Sequence, residues 1–221
     1  MQSTKQLEVT MALEGWIEEY FIPDYFRSLC SNYSIDYKRD PQIANPLPNR
    51  PMGKNSNLKR LPLVAQDFLS KTQDVSDDGS QKYLLLFGVD LEWEEAGKRI
   101  ESEKEIADEK DRILDLFKLG TQKIDDDKKL LFVPIRCFDT WISYLEDQSS
   151  EKGVLEILSN VEIKNKVYGS KKSSQVKSEN VVKRLLTKGL FNEDHFDRLT
   201  TQSPSFAHFH QQILAYLQKI S

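Results

Sequence analysis

Cysteine is almost missing from this chain of 221 residues, which has only Cys30 and Cys137. Neither has a Cys or His neighbour at zinc-ligand spacing. The pair reads as two free, buried thiols in a reducing compartment. Also missing is any apolar run of ~18 residues, the length a membrane-spanning helix needs. The first residues, MQSTKQLEV, lack the apolar core of a secretion signal. The expectation is a cytoplasmic protein that does not enter a membrane. There is no basic excess either, with 31 Lys and Arg against 35 Asp and Glu and a net charge of −4. Tight electrostatic binding of nucleic acid depends on basic groups neutralising phosphates, so the isolated chain is poorly suited to it. A nucleic-acid enzyme whose acids hold metal ions is not excluded. PMGKNS (51–56) is not a phosphate-binding loop, because Pro48 stands where the first glycine of that motif belongs. No Ser-His-Asp arrangement has local support, and no internal repeat is present.

What the chain does have is an alternation of strand and helix patterns. LEVTMAL (7–13), YSIDYK (33–38), YLLLFGVD (83–90) and LLFVPIR (130–136) read as strands. YLLLFGVD is apolar throughout, as in a strand buried on both faces of a parallel sheet. Ile17, Tyr20, Phe21, Tyr25 and Leu29 recur near helical spacing, with Pro23 predicting a kink or restart. Residues 40–62 hold five of the eight prolines and read as a long loop or insertion. LVAQDFLSKT (63–72) reads as the end of a helix beginning near Ser56. Residues 92–119 read as one long charged helix or two, and 138–147 as a further helix. GSKKSSQVKSE (169–179) reads as a basic, serine-rich loop. VVKRLLTKGLF (181–191) and SFAHFHQQILAYLQKI (205–220) read as helices, the latter with Ser203 as N-cap and Pro204 at its first position. The pattern predicts an α/β fold, a mostly parallel central sheet flanked by helices, over residues 1–150. Residues 151–221 are expected to form a helical part packed on the same domain.

Three predicted strands end in acids: Glu14 after the first, Asp90 with Glu92 after the third, and Asp139 just past the fourth. Sites in open α/β sheets lie beyond the carboxyl ends of the strands. Carboxylates at several tips of one sheet converge, and a hard divalent cation such as Mg²⁺ is the simplest account of such a cluster. Taken singly, each has an ordinary alternative: Glu92 as a solvated turn residue, Asp139 as a helix cap. In HFH (208–210), two histidines two apart on a helix point to different faces. Phe206 and Phe209 beside them favour a helix face packed on the core.

Four stretches together resemble the Toprim domain, and in particular the small RloB-like, OLD-associated Toprim group of bacterial phage-defence systems. LEGWIEEYFIPDYF (13–26) is similar to its first motif, an apolar strand ending in Glu-Gly with a further Glu in the next helical turn. LLLFGVDLEW (84–93) resembles the second, a strand ending in two acids one residue apart. FVPIRCFDTWISYL (132–145) and TQSPSFAHFHQQI (201–213) resemble features of the subgroup in the expected order. The chain departs from the pattern in carrying Glu92 for Asp, Asp139 for Glu, and Gly88 where an acid could stand. The resemblance implies a Toprim-like (Rossmann-like) fold and a metal-dependent nuclease acting on DNA or RNA with Mg²⁺ or Mn²⁺. An ABC/OLD-type ATPase would be its partner in anti-phage defence; the alternative is a non-catalytic subunit that regulates such an ATPase. Glu14 would be the general acid/base and Asp90 and Glu92 metal ligands. Glu18 and Asp139 would support them in the second shell or at a second metal. Lys54, Lys171 and Lys172 would meet substrate phosphate, or belong with Lys59 and Lys177 to a mixed charged surface.

Overall fold

Four short segments rich in β-branched and aliphatic residues pair side by side as a parallel sheet. The computed structural model describes residues 5–39, 54–73, 80–91, 94–95, 98–99, 103–134, 137–147, 152, 155, 158–169 and 174–221. The sheet comprises β1 (Lys5–Ala12), β2 (Ile35–Arg39), β3 (Gln81–Gly88) and β6 (Lys129–Phe132), in the order β2-β1-β3-β6. All three ladders are parallel, with Lys5 opposite Ile35, Ala12 opposite Phe87 and Gly88 opposite Phe132. A small antiparallel hairpin, β4 (Glu94–Glu95) and β5 (Lys98–Arg99), follows the third strand. The fold is thus α/β with helices on both faces of the sheet.

The faces follow from side-chain alternation along the strands. On one face Leu7, Val9 and Met11 of β1, Leu84 and Leu86 of β3, and Phe132 of β6 join one buried cluster. On the other, Ala12, Leu85, Phe87 and Val89 join a second. The first cluster is covered by α1 (Trp16–Asn32), α4 (Asp139–Glu146), α5 (Asn160–Tyr168), α6 (Gln175–Thr187), α7 (Glu193–Gln202) and α8 (Pro204–Ile220). The second is covered by α2 (Lys54–Gln73) and α3 (Glu103–Gly120). Chain direction explains this split. The step from β1 to β2 runs one way across the sheet, while the steps to β3 and then β6 run the other way. With right-handed crossovers, the reversal places α1 on one face and α2 and α3 on the opposite one.

The large face carries the aromatic core. Tyr25 of α1 meets Phe196, Phe206 and Phe209 with ring centroids 5.0–6.0 Å apart. Trp141 of α4 stacks on Phe209 at 5.4 Å and meets Phe206 edge-on at 5.1 Å. The C-terminal helices therefore bury their apolar stripes in the same core as β1 and α1.

Several expected boundaries move. Pro23 does not break its helix: α1 runs unbroken from Trp16 to Asn32, with Pro23 buried. Packing on one whole face supplies more than the one backbone hydrogen bond that proline forgoes. The proline-rich loop ends sooner than 62, because α2 begins at Lys54 and carries Pro62 inside it; residues 40–53 lie outside the described residues. The long helix from 92 is instead the hairpin of β4 and β5 followed by α3 from Glu103. The basic loop of 169–179 ends at Ser174, whose hydroxyl accepts the Lys177 N–H and caps α6. Ser203 caps α8 as the sequence predicts: its hydroxyl accepts the Phe206 N–H at 3.3 Å, with Pro204 in the first turn.

No helix among the described residues is long and apolar enough to cross a membrane.

Candidate functional site

The direction of the chain reverses between β1 and β3, and Glu14 and Asp90 follow those two strands. Adjacent strands whose connections leave in opposite directions open a crevice at their carboxyl ends, where ligands of open α/β sheets bind. Glu14 and Asp90 stand at that crevice because they extend the two most central strands.

A chain of contacts ties the acids together. The buried Glu18, in the first turn of α1, turns its carboxylate back on the entry to its own helix. Its Oε2 accepts the Glu14 N–H at 2.7 Å and the Gly15 N–H at 2.8 Å. This is the reach-back half of a capping box, and it fixes the Glu14 backbone. Glu14 Oε2 in turn accepts the Asp90 N–H at 2.9 Å, linking the tips of β1 and β3. Asp90 Oδ1 accepts the Phe138 N–H at 2.9 Å, linking β3 to the start of α4. One residue further, the buried Asp139 accepts the Tyr168 hydroxyl on Oδ1 at 2.5 Å, linking α4 to α5. Glu18, Glu14 and Asp90 thus each hold the segment that carries the next acid, and Asp139 ends the series on Tyr168.

Burial sets the charge states. Removal from water pushes the Glu18 carboxyl well above its ordinary value, and the charge of Glu14 adds to the rise. The two backbone N–H groups oppose it. Its Oε1 is buried and has no hydrogen-bond partner among the described residues. Burial, with Asp139 and Asp90 nearby, keeps the Cys137 thiol protonated, while the Lys164 ammonium pulls the other way. Burial and the charge of Asp139 also push the Tyr168 hydroxyl up, so it remains a donor to that carboxylate.

A divalent cation matches the chemistry of this donor set, which is all hard oxygen, and the buried Glu18 Oε1, without a hydrogen-bond partner among the described residues, is a polar atom that a bound ion would explain. Against this, among the described residues no three His, Cys, Asp or Glu side chains are grouped closely enough to hold a metal ion. Glu14 and Asp90 are brought together. Glu18 joins them through the Glu14 backbone. Asp139 stands one step away, opening α4 with its carboxylate turned to Tyr168 rather than capping the helix. Glu92, Lys171 and Lys172 lie outside the described residues. Lys54 begins α2, with its side chain outside what the structure describes, and Lys59 and Lys177 are exposed on α2 and α6.

Sequence reasoning missed Lys164 and Tyr168. Both sit on α5, a helix the apolar pattern did not single out, and only tertiary packing sets Tyr168 against Asp139 and Lys164 near Cys137. The Ser159–Glu162 capping box that starts α5 was the available signal. His210 is a core residue as expected, its Nδ1 2.7 Å from the buried Tyr25 hydroxyl, and His208 is exposed beside Gln212. Cys30 and Cys137 are both free and buried. Comparison with protein-family models, with curated proteins and with solved structures finds no match to this chain.

Proposed function

We propose that the acids at the β1–β3 crevice form the metal-dependent centre of a Toprim-like nuclease that cleaves phosphodiesters of DNA or RNA, working with an ABC/OLD-type ATPase in anti-phage defence. The observation that carries the site is the meeting of Glu14 and Asp90 at the switch point of the sheet, 2.9 Å from carboxylate oxygen to backbone nitrogen. The resemblance of the four sequence stretches suggests the chemistry, and the position of two of the acids at the crevice supports that reading. Glu14 and Asp90, with Glu92, would hold Mg²⁺ or Mn²⁺. When bound, such an ion polarises the scissile phosphate and steadies the oxygens that attack and leave. Glu14 would move the proton at its carboxylate. Glu18 fixes the backbone from which Glu14 projects. Asp139 and Tyr168 hold the first turn of α4, whose Phe138 N–H orients Asp90. Lys164 would add a cation near Cys137, two residues before Asp139.

The test is cleavage of plasmid DNA and of transfer RNA by the purified protein with Mg²⁺ or Mn²⁺ against EDTA, alongside Glu14→Ala and Asp90→Asn. Metal-dependent cleavage falling at least a hundredfold in both variants is the expected result. Calorimetry with Mn²⁺ separates the alternatives when no cleavage is seen. Binding lost in Glu14→Ala marks a nuclease that waits for its ATPase, and no binding sinks the metal centre.

One observation favours a second reading, a non-catalytic subunit that docks on and regulates the ATPase. Every described acid of the site gives at least one oxygen to the protein's own N–H or O–H groups, as acids that brace a fold do.

A further inference from the structure

Among the described residues the sheet is open at its β6 edge. Phe132 and Pro134 direct their carbonyls inward, to the Val89 N–H at 3.2 Å and the Leu91 N–H at 2.9 Å. Alternation along a strand turns the backbone N–H and C=O of Leu131 and Val133 the other way, and among the described residues no strand pairs with that side. This edge does not lie flat against solvent. It forms the floor of a groove of about 600 Å³ between α3 and α8, walled by Leu114 and Phe117 on one side and Phe209 on the other. Natural edge strands left unpaired are usually blunted by proline, charge or a covering element. Here Pro134 and Lys129 stand only at the two ends of the edge. Lys129 is occupied elsewhere, donating to the carbonyls of Thr121 and Ile124.

We propose that this groove binds an extended, apolar segment of a partner protein that adds to β6 as a fifth strand and carries an acidic residue at its flank. Backbone pairing at Leu131 and Val133 would give affinity, and the wall residues would receive alternate side chains. The acid follows from the lining. The chain as a whole is acidic, yet no acid is among the described lining residues: Lys129 is already paired with Asp126, and Lys110 is the further charged group there, with the exposed His208 on the α8 rim. Depth argues against a second copy as occupant. Leu131 and Val133 are half-buried between the two helices, so a lone extended segment needs less room at this edge than a second β6 with its own α3 and α8. The inference stands apart from the metal reading.

The test uses the whole protein and a random eight-residue peptide library displayed on phage. Expected is enrichment of peptides that alternate apolar residues and carry an acid. The synthetic peptide of the dominant clone should slow amide exchange at Leu131 and Val133 at least tenfold. Its binding should weaken at least tenfold in Leu114→Lys, and also in His208→Asp, an exposed change that leaves the core untouched. Circular dichroism checks both folds. Three results would overturn the proposal: no enrichment, a peptide that binds without protecting those two amides, or a dimer in sedimentation that Leu114→Lys dissociates.

Discussion

At the scale of single residues, Glu18 is where sequence and environment conflict most. A carboxylate in the first turn of a helix is favoured by the helix dipole and by the two N–H groups it accepts. Burial of the same group favours its neutral form, and burial is the larger effect. The consequence for stability has a definite sign. In the unfolded chain this carboxyl loses its proton near its ordinary value, while in the folded chain it keeps it to higher pH. The folded state then holds more protons, so stability is fully present below pH 4.5 and is lost as pH rises toward the folded value. Other groups titrate in the same range, so the informative quantity is a difference. Urea unfolding of wild type and Glu18→Gln across pH 4 to 8 should show the variant gaining on wild type by up to about 1.4 kcal/mol per pH unit. Parallel curves would mean that Glu18 is ionised in the fold. Gly88 teaches a different lesson. Read against the Toprim pattern it stands where an acid could be. In the fold a side chain there would put its Cβ 2.2 Å from the Phe132 ring, so the position is closed to acids by packing. That closure follows from the ladder that sets Gly88 opposite Phe132, and no local pattern reveals it.

At the scale of elements, β3 and β6 fit together only through that glycine. Gly88→Ala forces the ring or the strand to move, and overpacking of this kind costs about 1–3 kcal/mol. The expected outcome is a fall in the denaturant midpoint of that size, partly recovered in the double variant with Phe132→Leu. Simple additivity of the two changes would count against the contact. The start of α8 lies at the other extreme. Ser203, Pro204 and the apolar run after them state a helix N-terminus in the sequence, and the structure keeps it to the residue. Strands β1 and β3 were equally plain, since apolar runs bounded by charged residues and turns have few other uses. The ends of α2, α3 and α6 were not. Proline at the N-terminal side of α2 and serine with lysine before α6 read as loop, but a helix docked on a sheet overrides weak local preferences by burying one face.

At the scale of the whole molecule, one aromatic core joins the ends of the chain. Trp141 is fully buried among Phe132, Phe138, Phe206 and Phe209, from β6, α4 and α8. Such a residue has no way to loosen without loosening the sheet and the C-terminal helices together. Trp141→Ala should therefore cost about 3–5 kcal/mol. In wild type, thermal melts followed by tryptophan fluorescence and by far-ultraviolet circular dichroism should coincide in one transition. Two separated transitions would show that the helical C-terminal part melts by itself. The sequence alone determined the α/β class, the two central strands, the cap of α8 and the acids at the strand ends, because each rests on neighbours within a few residues along the chain. Tertiary structure decided that β1 and β3 are adjacent and that Glu14 reaches the Asp90 backbone. It also decided that α5 delivers Tyr168 to Asp139 and that, among the described residues, β6 is left as an open edge between two helices. Those facts depend on the order of strands in the sheet and on which face each helix covers, and chain order is set by long-range burial rather than by local pattern.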